Sequence, residues 1–259
     1  MAHFTRIGAH TAPRLGAQRY IGGMSSNYLA PTSPELEREW GLTIDDEWPT
    51  DAGAGDLVPI IRRFGVGDAA QKELVLARFG LLPANAKADK PTGTSVNARS
   101  ETAATRSTFK GAYTQRQWCI VPAQCLYVPL YADDAKRSER WRIRRKDRTP
   151  LSVAGLWDRW VGDDGREITS FAMLTINCDL HPLLSRFGRT SNDKGEATEK
   201  RTPVLLAEED FDAWLDTTPG RAPIFCGTFG KDDLEAEPAP TVSRRNTGPG
   251  SLDTGISEL

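Results

Sequence analysis

The chain has 259 residues, a formal net charge of −2 at pH 7, 39% hydrophobic residues and 26% charged residues. This is the composition of an ordinary folded domain, and it excludes a chain drawn onto nucleic acid by its overall charge; such a partner would need a local basic patch. The longest largely apolar runs, Leu151–Leu156 and Val204–Ala207, fall far short of the ~20 residues that cross a bilayer as a helix.

Residues 1–23 carry Arg6, Arg14 and Arg19 and no acidic residue or apolar core, so they do not read as a secretory signal. They read as a disordered leader: a targeting peptide, or an extension ahead of a start at Met24. From Ser33 the pattern turns helical. Ser33 is placed to cap, Pro34 and Glu35 suit the first turn, and Leu36 and Trp40 share a face. Residues 43–56 read as an acidic, Gly/Ala-rich loop. Leu57–Phe64 and Glu73–Leu81 read as strands, and 84–95 as a polar loop.

Further on, Thr108–Arg116 reads as a short helix, and Trp118–Val121 and Cys125–Val128 as strands interrupted at Pro122. Arg140–Arg145 alternates Trp141 and Ile143 with Arg140, Arg142 and Arg144, the signature of a half-buried strand with a basic face. With Lys146 and Arg148 this cluster is either a patch for a polyanion or a solvated strand and turn. Leu151–Trp160, Thr169–Asn177 and Thr202–Leu206 are three more strands, and Glu208–Leu215 is a helix with Phe211, Trp214 and Leu215 on one face. After Lys231 the Pro/Gly/Ser-rich chain is expected to be disordered, giving a leader (1–23), a single domain (24–230) and a tail (231–259). Many short strands and few helices argue against a doubly wound sheet. They predict one compact α+β domain with a mixed, mostly antiparallel, barrel-like sheet and a few peripheral helices.

Cys119, Cys125, Cys178 and Cys226 form no C-x-x-C pair, so a metal site is not expected and the cysteines read as small buried apolar residues. No cofactor is expected, and the default compartment is the cytoplasm.

Seven segments, in order, resemble the SRAP family, the SOS-response-associated peptidases and abasic-site processing proteins. They are Met24–Tyr28, Phe79–Pro83, the hallmark Asn97-Ala98-Arg99-Ser100-Glu101-Thr102, Cys119–Ala123, Ala154–Trp157, Phe171–Thr175 and Lys200–Val204. The resemblance implies recognition of abasic sites in single-stranded DNA by a monomer, through covalent crosslinking in the DNA-damage response, together with self-processing peptidase activity. In the resembling proteins the amine of an exposed cysteine attacks the sugar aldehyde and its thiolate closes a stable ring. A glutamate and a histidine assist proton transfers, and the hallmark asparagine positions the amine.

Carried onto this chain, the cysteine position is Ser25 and the asparagine is Asn97. The glutamate position is Val128, and the histidine position aligns with Gly188 in Arg186-Phe187-Gly188. His181, before Pro182, reads as a loop or cap residue. The tryptophan that wedges against bases falls at Asn85, a loss of about 1–3 kcal/mol of stacking. Arg99 is the expected phosphate ligand, with Asn27, Arg62 and Arg106 as further DNA-binding candidates and Arg63 and Arg116 as weaker ones. An oxazolidine closed by a serine hydroxyl hydrolyses far more readily than a thiazolidine. The alternative reading is therefore a catalytically degenerate relative that binds single-stranded DNA without crosslinking.

Overall fold

The structure, a computed structural model, describes residues 27–65, 70–89, 95–132, 137–192 and 194–240. Twelve strands are formed: β1 (Asn27–Leu29), β2 (Asp51–Gly53), β3 (Leu57–Phe64), β4 (Gln71–Phe79), β5 (Asn97–Arg99), β6 (Trp118–Ala123), β7 (Cys125–Tyr131), β8 (Ser138–Arg145), β9 (Leu151–Val161), β10 (Glu167–Asn177), β11 (Arg201–Pro203) and β12 (Leu234–Pro238). Three short α-helices accompany them: α1 (Ser33–Trp40), α2 (Ser107–Thr114) and α3 (Phe211–Leu215). The expected α+β domain is the one observed.

Strands β10, β4, β3, β6 and β9 hydrogen-bond in that order, and β9 returns to β10, which closes a five-stranded barrel. All neighbours run antiparallel except β4 and β10, which pair in parallel at Ser170↔Arg78 and Phe171↔Phe79. A second, wholly antiparallel sheet has the order β12-β8-β7-β1-β2.

Alternation along the barrel strands divides the core in two, as the twofold period of a strand requires. Val58, Ile60, Phe79, Cys119, Val121, Phe171 and Met173 join Tyr28, Leu126 and Ile143 of the second sheet in one buried cluster. The opposite register, with Ile61, Ile120, Leu156, Ala172 and Leu174, packs against Leu36 of α1, Phe109 of α2 and Trp214 of α3. Gly155 of β9 has no room for a side chain. A Cβ there would lie 2.8 Å from the Cys119 sulfur and 2.9 Å from the Ala172 carbonyl oxygen, so no larger residue fits without displacing backbone.

Several local readings change. The cap of α1 is Thr32, one residue earlier than expected, and its amide donates to the Glu35 carboxylate at 2.7 Å in a capping box. The supposed helix Glu208–Leu215 divides into a 3₁₀ turn at Glu208–Asp210 and α3. Part of the expected loop 43–56 forms β2. The tail expected to be disordered from residue 231 instead contributes β12, an edge strand on β8.

The reason for β12 is charge and burial together. Glu235 lies opposite Arg144 and bonds it at 2.6 Å and Arg148 at 2.7 Å; Glu237 lies opposite Arg142 and bonds it at 2.8 Å, and also pairs with Arg144. Arg140 pairs with Asp51, and Arg145 with Asp147. The basic strand is therefore matched by carboxylates rather than open to a polyanion. Leu234 anchors the strand at 1% exposure.

Leu234→Ala should lower unfolding stability by about 2–5 kcal/mol through the cavity it leaves. Glu237→Lys, at a rim that water screens, should cost far less. Urea titration of the two variants checks the ranking, and equal effects would mean that charge rather than burial holds the strand.

Candidate functional site

The candidate site lies where β9 and β10 part. As far as Met173 the two strands pair directly; beyond it β11 enters between them, the Val204 amide donating to the Leu174 carbonyl while the Ala154 amide donates to the Val204 carbonyl. On the other edge of β10, β5 follows β4, with Asn97 opposite Met173 and Arg99 opposite Thr175. The hallmark segment and the Lys200–Val204 segment are thus brought onto the two flanks of one strand end.

A buried guanidinium joins them. Arg201 is 3% exposed; it donates to Glu101 at 2.6 Å, to the Thr175 carbonyl at 2.7 Å and to Glu199 at 2.7 Å. Glu199 also accepts from the Asn177 amide at 3.0 Å, and its other oxygen lies 3.5 Å from Arg99. Arg99 itself is 60% exposed, so its guanidinium faces solvent with capacity to spare for an anion. Burial pushes the Glu101 carboxyl up, but the bond from Arg201 and the neighbouring positive charges outweigh it and hold the group below its ordinary value.

The other expected site residues gather on a second flank. Val128 of β7 lines a pocket of about 20 Å³, room for about one water, with Leu126, Ile143, Leu184, Phe187, Arg201, Thr202, Pro203 and Leu205. The Gly188 amide donates to the carbonyl of Pro129, the residue after Val128, at 2.8 Å. The structure therefore brings Val128 and Gly188 into neighbouring segments, and Arg201 lines the Val128 pocket while bonding the hallmark glutamate. At φ 82° Gly188 occupies the left-handed region, where a histidine would be strained. The titratable side chain that reaches Arg99 is Glu199, which sequence reasoning missed; it stands in a polar stretch with no periodicity to mark it. Ser25 lies outside the described residues. β1 begins two positions later, and its Asn27 pairs with Tyr127 of β7.

The DNA-binding candidates separate. Arg106 is exposed at the start of α2, close in sequence to the hallmark. Asn85 is exposed in a turn held by the Ala84 amide on Asp158 and the Trp160 indole on the Ala86 carbonyl. Asn27 packs over Gly53, where a Cβ would lie 2.8 Å from its amide nitrogen. Arg62 bonds Glu73 at 2.6 Å and stacks over Trp157 at 4.1 Å, so it is committed within the fold. Arg63 is held by Asp212 and Asp216, and Arg116 by the backbone carbonyls of Asp216 and Thr217. His181 is a cap: its Nδ1 accepts from the amides of Leu183 and Leu184, and Nε2 donates to the Phe229 carbonyl at 2.9 Å.

The four cysteines are unpaired thiols, three of them buried, and burial pushes Cys178 up to about 11. Among the described residues no three His, Cys, Asp or Glu side chains are grouped to hold a metal, and no helix is long and apolar enough to cross a membrane.

This constellation of strands and motifs has relatives. Residues 36–241 match the profile of SRAP, the SOS response associated peptidases. The chain belongs to the SRAP family. It is similar to the abasic site processing protein YoqW of Bacillus subtilis, with 25% identity over 194 residues, 73% of this chain and 80% of that protein. YobE, an abasic site processing protein of the same organism, is 27% identical over 174 residues, 66% of this chain and 73% of that one. Among solved structures, a protein from Bordetella bronchiseptica superposes with a TM-score of 0.72 at 29% identity, covering 83% of this chain and all of the other. A Bacteroides thetaiotaomicron protein shares the fold at a TM-score of 0.63 and 21% identity, covering 83% and 89% of the two chains.

The polar flank of this SRAP protein sets a pH dependence. Because Glu101 is held below its unfolded value, its contribution is present above that value and is lost as pH falls through the lowered folded value. Between about pH 5 and 3, wild-type stability should fall more steeply than that of Glu101→Gln, as read from urea midpoints. Parallel profiles would show that the Arg201 bond contributes nothing measurable.

Proposed function

We propose that the protein recognises abasic sites in single-stranded DNA as a monomer and does not form a durable crosslink. The observation that carries this reading is the apolar pocket around Val128, at the position where the family resemblance calls for a proton-transferring carboxylate. Abasic-site handling is supported by the names of the relatives, and DNA contact by the exposed Arg99 on the hallmark strand. Phosphate binding at Arg99 positions the strand, and the neighbouring Arg106 extends the basic edge. Glu199 and Arg201 keep Arg99 in place without neutralising it fully, since Glu199 is shared between two guanidinium groups.

Chemistry at Ser25 fits the same reading. As an amino-terminal residue Ser25 could add its amine to the sugar aldehyde, but its hydroxyl closes only a ring that water reopens. Without a carboxylate at position 128, the proton transfers that the resemblance assigns to that position have no side chain there to carry them.

Two measurements test the proposal. Arg99→Ala should weaken binding to abasic single-stranded DNA about tenfold at moderate salt and reduce the salt slope by about one. Incubation with the same DNA should yield no adduct that survives heating, whereas the double substitution Ser25→Cys with Val128→Glu, in a chain beginning at Met24, should raise the yield. A heat-stable adduct from the unmodified protein would establish the covalent alternative.

A further inference from the structure

The amine of Lys200 stands between the two flanks of the site and takes no part in the chemistry considered so far. Lys200 directly precedes Arg201, and its backbone is pinned on both sides: its amide donates to Asp179 at 2.8 Å, and its carbonyl accepts from Cys178 at 2.9 Å. Its Nζ donates to the Gly188 carbonyl at 2.5 Å, and the Gly188 amide in turn bonds Pro129 beside Val128. Thr202, two residues further on, lines the Val128 pocket. Among the described residues no carboxylate lies within 4.0 Å of this nitrogen, whereas its neighbours Arg99 and Arg201 are both paired. The side chain is half-buried, so the amine is held but not sealed.

We propose that Lys200 is an amine nucleophile of this protein, forming a reversible imine with the aldehyde of the abasic sugar. The inference rests on the abasic-site reading above. The neutral Nζ adds its lone pair to C1′ of the ring-opened sugar, and the carbonyl oxygen takes up a proton. The resulting carbinolamine loses that oxygen as water while the nitrogen gives up a proton, so amine and aldehyde give imine and water. Hydrolysis reverses the step and leaves protein and DNA unchanged. Desolvation lowers the Lys200 amine below its ordinary value, which raises the neutral fraction near neutral pH.

The test is reductive trapping on the full chain. Wild-type protein, a single-stranded oligonucleotide with one abasic site and sodium cyanoborohydride should give a secondary-amine adduct, mapped by peptide mass spectrometry to Lys200. Lys200→Met and Lys200→Gln should each lower the yield at least tenfold while keeping wild-type melting temperature and affinity for the same oligonucleotide without the abasic site. An adduct mapped to another amine, or yields within twofold of wild type in both variants, overturns the role of Lys200 while the abasic-site reading stands. Failure of the wild type to prefer abasic over intact oligonucleotide, with no adduct, overturns both.

Discussion

Strand β10 is the constraint on which the molecule depends. It closes the barrel through its parallel pairing with β4, carries β9 on its other edge, and then exchanges both neighbours for β5 and β11. A closed barrel has no free edge, so a site among its strands must be opened by parting them. Here the parting happens beyond Met173, and Thr175 is its hinge point. Its buried hydroxyl donates to Ala98 and accepts from Arg201, and its carbonyl takes a second bond from the same guanidinium. The chemistry-bearing segments are separate in sequence and meet only because both have to satisfy the backbone of one strand end.

Burying a guanidinium is costly unless its donors are met, and Arg201 meets them with two carboxylates, a hydroxyl and a carbonyl. That explains why the site is polar and organised on the hallmark side while the Val128 side is oily. The two halves obey different rules. One is fixed by directional bonds around Arg201, and the other by the packing of Leu184, Phe187 and Leu205 against β7 and β8.

The long barrel strands were legible as apolar runs of strand length bounded by loop residues, since both faces of β3, β9 and β10 are buried over four or more consecutive positions. β1, β2 and β5 were not, since three residues carry no period and owe their form to the partner strand. β12 was hidden for a different reason. Its sequence, Leu-Glu-Ala-Glu-Pro, is a poor strand former that becomes one against the arginines of β8. At the site, Asn97 and Arg99 were found because their hexapeptide is distinctive, while Glu199 and Lys200 become notable only when folding sets them beside Arg99 and Gly188. His181 was read as a cap and is one.

The pairing of β8 with β12 also bears on how such a protein would search a genome. Each arginine tied to a carboxylate is one that releases no counterions from a phosphate backbone. With Arg140, Arg142, Arg144, Arg145 and Arg148 all committed in this way, the strand that looks most basic in the sequence would contribute little to non-specific attraction. On the abasic-site reading proposed above, visits to intact DNA would then owe little to this face, and discrimination would rest on what the site finds rather than on how long the protein lingers.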